Sequence, residues 1–180
     1  GLSANAAFYR HLSGEPDRTE MLLNALEYGY DHAASLAAQL EIENLGARAL
    51  PILLRASTRE HFSSQMLAVR AAARIEKKGV PVLLVSMKSK HMRIRQVAAD
   101  AAGELGEDGL SILQLAVKDS IQEVRLSAAM SASRIGPKAL PILEILSQDN
   151  DPDVRSEAAR MIVRIQKESV FNNSGTLPAK

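Results

Sequence analysis

Cysteine and tryptophan are both missing from this 180-residue chain, and aromatic residues make up only 3% of it. Without thiols there are no disulfides and no thiolate metal sites. No run of 18 or more apolar residues occurs, so no stretch has the length of a membrane-spanning helix, and no signal-peptide pattern is visible. The expectation is a soluble protein of the cytoplasm, taken as a monomer. The formal net charge of +1 supplies no large field to favour nucleic acid or a membrane surface. Catalytic signatures are missing too. There is no serine elbow with His and Asp partners, no Gly-rich phosphate loop and no His-Glu-x-x-His. The chain opens Gly1-Leu2-Ser3 with no Met, as expected of a piece cut from a longer protein.

What the chain does have is Ala and Leu, which supply much of its 46% apolar content and suit closely packed helices. The stretch from Glu123 to Pro152 shows how they are arranged. Val124, Ala128, Ala132 and Ile135 recur at the spacing of an amphipathic helix. Gly136-Pro137 ends that helix, since Gly suits a left-handed C-terminal position and Pro cannot extend the hydrogen-bond ladder. A second helix carries Leu140, Leu143 and Leu146 on one face. Asp149-Asn150-Asp151-Pro152 closes it with turn chemistry. The unit is a helical hairpin.

A shift of 30 residues brings the pattern back. Leu143 falls on Leu113, Leu83, Leu53 and Leu23. Ala158, Ala128, Ala98, Ala68 and Ala38 form a second column, and Ile165, Ile135, Leu105, Ile75 and Leu45 a third. A fixed period with one helix pair per unit predicts an α-solenoid. In order, the spacing predicts a short helix over Ala4–Leu12, a helix carrying Leu22, Leu23 and Leu26, and then pairs. These are Ala33–Leu45 with Leu50–Ala56, Ser63–Ile75 with Val80–Met87, and Met92–Leu105 with Leu110–Val117. After the Glu123–Pro152 hairpin comes an unpaired helix over Asp153–Gln166, with Met161 and Ile162 facing the place of its absent partner. One repeat domain over 1–166 is expected, followed by a disordered tail over 167–180.

These residues resemble HEAT repeats. The pattern runs Val124-Arg125, Ala128-Ala129, Ile135-Gly136, Ala139-Leu140-Pro141 and Asp149, then Val154-Arg155, Ala158-Ala159 and Ile165. Ile94-Arg95, Ala98-Ala99 and Leu105-Gly106 precede it. The short period resembles the HEAT-like repeats of phycobilisome lyases. The likeness weakens towards the N-terminus, where Ser35 and Gln65 stand in place of Arg. It implies a right-handed superhelix of antiparallel helix pairs, serving mostly as a binding scaffold. It also implies that the second helices line a concave surface, and that Arg95, Arg125 and Arg155 form an inter-repeat ladder with Asp119 and Asp149. Arg95 is the candidate for an anion site, because Ser89 occupies its Asp position.

On the second helices, Val85, Leu115 and Ile145 lie two residues beyond the core leucines, about 200° around the helix. Val82, Ile112 and Ile142 lie one turn earlier. These six form a candidate concave apolar strip for a partner segment, with Lys88, Lys90, Arg93 and Lys118 as a basic rim. The other basic residues of the 74–95 segment, such as Lys77 and Lys78, fall in the turn within a hairpin. They are separated from that rim by a helix length, roughly 15 Å, so no single nucleic-acid patch is expected. His61 and His91 are one period apart, but Glu60 is the one nearby carboxylate, too few ligands for a metal. Asp149, Asp151, Asp153 and Glu157 sit where carboxylates stabilise a helix N-terminus and lack the spacing of a calcium loop.

The leading expectation is therefore a non-enzymatic protein-interaction scaffold without cofactor or metal. Two alternatives follow from resemblance alone. One is a bilin lyase or chromophore-chaperone subunit, although few aromatics are present to stack a tetrapyrrole. The other is a nucleic-acid-binding solenoid like the HEAT-like alkylpurine glycosylases, although those rely on aromatic residues in the cleft.

Overall fold

The computed structural model describes residues 23–24 and 32–174. The expected helix over Ala4–Leu12, the flanks of the helix carrying Leu22 and Leu26, and the Tyr28–Asp31 loop lie outside the described residues. The described part is all-α, with no strand among those residues. It is built of helix pairs on the 30-residue period, the organisation of an α-solenoid. The pairs are α1 His32–Leu45 with α2 Leu50–Thr58, α3 Phe62–Arg74 with α4 Val80–Ser86, α5 Met92–Ala102 with α6 Leu110–Ala116, and α7 Gln122–Ile135 with α8 Leu140–Leu146. The series ends in α9, Pro152–Ser174.

The chain divides into two compact units, Gly1–Val85 and Ser86–Lys180, rather than the single domain expected over 1–166. In a repeat chain each hairpin touches only its neighbours, so no central core ties distant repeats together. In the first unit α2 packs on α3, and Leu23, Leu53 and Leu83 are fully buried. In the second unit α5 packs on α7 and α7 on α9, while α6 lies between α5 and α7 and α8 between α7 and α9. Leu113 and Leu143 are fully buried there, as are Ala98, Ala128 and Ala158 on the first helices. Alanine at those contact points lets the helices approach closely, and leucine from the second helices fills the space between them.

The turn inside each hairpin is a short 3₁₀ helix: Gly46–Ala49, Glu76–Gly79, Gly106–Gly109 and Pro137–Ala139. Each begins at a left-handed residue, Gly46, Glu76, Gly106 or Gly136. Glu76, at φ 51°, takes a conformation the other three repeats leave to glycine. At the far end of the turn a Cβ on Gly109 would stand 2.0 Å from the Ala102 carbonyl oxygen, so backbone approaches backbone where only glycine fits.

The helix α9 corrects the expected tail. It continues past Gln166 to Ser174. The sequence from 166 to 174 contains no Gly or Pro, and the first helix breaker is Gly175. An Arg164–Glu168 pair at 2.9 Å and a bond from Ser169 Oγ to the Ile165 carbonyl support the added turns. Met161 also departs from expectation: it is buried by the packing of α9, and Ile162 is half-buried.

Candidate binding surfaces of the Ser86–Lys180 unit

The loops between hairpins carry a repeated arrangement of charge. Arg95, near the start of α5, donates from Nε to Asp119 Oδ2 at 2.6 Å and from Nη2 to Asp119 Oδ1 at 3.0 Å. Its Nη1 donates to the Ser89 carbonyl at 2.8 Å. One repeat on, Arg125 grips Asp149 in the same bidentate way at 2.7 and 3.0 Å, and its Nη1 donates to the Asp119 carbonyl at 2.8 Å. Each guanidinium thus takes a carbonyl from the loop just before it and a carboxylate from the loop 24 residues ahead. Planar Arg suits this geometry because its fork matches both carboxylate oxygens.

The pairs are well covered, with Asp119 only 6% and Arg95 14% exposed at the side chain. Burial pushes the Asp119 carboxyl up. The bond from Arg95, the Ile121 N–H and the charges of Arg95 and Arg125 outweigh it and hold the group below its ordinary value. Burial likewise acts on Asp149 and is outweighed by Arg125, the Asp151 N–H and the nearby Arg155 charge. The bond to Asp119 raises Arg95 further against the opposing effect of burial. The expected anion site at Arg95 is therefore corrected. Ser89 contributes its carbonyl, and the fork is filled by Asp119 from the next loop.

Arg155 occupies the same position on α9. Its Nη1 donates to the Asn150 carbonyl at 2.9 Å and the Asp149 carbonyl at 2.7 Å, and among the described residues no carboxylate meets its fork. Asp151 Oδ1 accepts from the N–H groups of Asp153 and Val154, capping α9. That is the work done by this acidic loop. Among the described residues no group of three or more His, Asp or Glu could hold a metal ion.

The candidate apolar strip separates into two sets. Val82, Ile112 and Ile142 are core residues, which corrects their place in the strip. In the second unit each seven-residue second helix is held between two first helices, so its buried arc takes in both Leu113 and Ile112, about 100° apart. Leu115 and Ile145 lie beyond that arc and are 42% and 56% exposed. Val85, in the first unit, is half-buried. Lys88, Lys90, Arg93 and Lys118 are exposed, and Arg93 donates to Gln96 Oε1 at 2.8 Å.

A second surface, unannounced by periodicity, lies between α7 and α9. It is an open cavity of 660 Å³ floored by Met130, Met161 and Val163. Met130 and Val163 are 52% and 48% exposed. The sequence signal was present in the large apolar residues at 130 and 163, whose columns hold Asp100 and Ser133 in neighbouring repeats.

Residues 110–172 match a family model described as HEAT repeats. No curated protein matches the sequence. No described helix is long and apolar enough to cross a membrane.

Proposed function

We propose that this chain, which carries HEAT repeats over 110–172, is a protein-interaction scaffold that holds a partner against its second helices. The observation that carries the reading is the exposure of Leu115 and Ile145. They occupy the same position in successive repeats, and burial of such residues is what an interface adds to a folded protein. Val85 lies in the same sequence column on the first unit. HEAT repeats generally serve as scaffolds for protein–protein contacts, so repeated apolar positions suit a segment that runs along several repeats. Lys88, Lys90, Arg93 and Lys118 form the rim in this reading and favour a partner with acidic edges.

The test is a pull-down comparing wild type with Leu115→Glu/Ile145→Glu, read alongside helicity by circular dichroism. The expected result is loss of the specifically captured partner with helicity unchanged, since both side chains already face solvent. The same captured set from both proteins would overturn the proposal.

A further inference from the structure

We propose that the furrow between α7 and α9 is a second docking site, for an acidic helix with one apolar face, belonging to a partner protein. The argument starts from the preceding junction, between α5 and α7, which is sealed. There Arg134 lies across Gly103, so closely that a Cβ at that glycine would come within 2.5 Å of Arg134 Nε. Its Nη2 donates to the Asp100 carbonyl at 2.8 Å and to Ser131 Oγ at 2.7 Å.

One repeat later every part of that seal is changed. Ser133 takes the place of Gly103, and Met161 takes the place of Ser131. Arg164, the counterpart of Arg134, has neither the gap nor the hydroxyl. It turns along its own helix to Glu168 at 2.9 Å, an exposed pair of small worth. The apolar floor therefore stays uncovered, and its two methionines are suited to adapt to a partner's side chains.

Charge selects the occupant. Four cations, Arg134, Arg160, Arg164 and Lys167, border the furrow against two carboxylates, Glu157 and Glu168. Glu157 is matched by Arg160 and Glu168 by Arg164. Arg134 bonds only to a carbonyl and a hydroxyl, so its charge and that of Lys167 remain uncompensated by carboxylates. Leucine-like side chains on one face of a helix would fill the floor, and carboxylates at its edges would meet these cations.

The experiment uses the whole chain with ¹³C-methyl methionine, the Met130 and Met161 signals being assigned through Met→Leu variants. The probe is a blocked helical peptide of about 15 residues, with leucines on one face and glutamates on its edges. Controls are the same peptide with lysines for the glutamates, and dodecanoate as a simple anionic amphiphile. The expected result is movement of the Met130 and Met161 methyl signals with the glutamate peptide. Binding should weaken about tenfold, or 1.4 kcal/mol, in Lys167→Glu, whose site is exposed, and by at least as much for the lysine peptide. Unmoved methionine signals, equal binding of the lysine peptide, or a response to dodecanoate alone would overturn the proposal.

Discussion

Position 65 in the first unit and positions 95 and 125 in the second hold the same place in the repeat, and they do different amounts of work. Gln65 Nε2 donates to the Arg59 carbonyl, six residues back, as Arg95 does to Ser89 and Arg125 to Asp119. The amide thus keeps the bond to its own loop. It has no fork, and the position 24 residues ahead of it is Ser89 rather than Asp. Closing a loop onto its own helix therefore needs only a donor of the right length. Joining one loop to the next needs a planar cation and a carboxylate in register.

Removing the carboxylates should expose this difference most strongly. Asp119→Ala leaves the well-covered Arg95 guanidinium without its counter-charge, and about 3 kcal/mol of stability should be lost in denaturant unfolding. Gln65→Ala removes one hydrogen bond and should cost only about 1 kcal/mol. Equal losses would erase the distinction between the two kinds of rung.

Acid should act on the same contrast with a smaller effect. Asp119 and Asp149 titrate lower in the folded chain than the ordinary value of 3.8, so the unfolded state binds more protons in that range. Their contribution is fully present above the ordinary value and is lost as pH falls through the depressed folded values. Asp119→Asn/Asp149→Asn should flatten the stability profile below about pH 4, as followed by urea midpoints from pH 6 to 2.5. A profile of unchanged slope would show that these groups do not carry the dependence.

The smallest change expected is a gain. Glu76 holds a left-handed conformation that the equivalent turns assign to glycine. Glu76→Gly relieves that strain at the expense of extra freedom in the unfolded chain. The net stabilisation should be about 0.5–1 kcal/mol, seen as a raised thermal midpoint. A lowered midpoint would mean that the side chain contributes more than its backbone costs.

Most of the architecture was legible from the sequence, because a period of 30 with leucine and alanine columns fixes which face of each helix is buried. Leu53, Leu83, Leu113 and Leu143 lie in the core for that reason. What the spacing does not specify is which neighbour covers a face. Ile112 and Ile142 look like flank positions on an isolated helix, but they are enclosed once a first helix packs on each side. The partner of Arg95 was misplaced in the same way. Counting back six residues finds Ser89, whereas the carboxylate comes from the loop ahead. The furrow beside Met130 depends on a three-part seal at one junction and its replacement at the next, a feature that emerges only when two repeats are compared in space.

The rungs also give the ladder a polarity, and its two ends should fail differently when cut. Deleting the hairpin that bears Arg95 would strand Asp119, a shielded anion reliant on its cation, and would surface as acid lability. Deleting the segment after Arg125 would strand a guanidinium that still keeps a loop carbonyl and can turn to water. Arg155 already lives in that condition, held by two carbonyl oxygens. The array should therefore bear trimming from its C-terminal side better than from its N-terminal side.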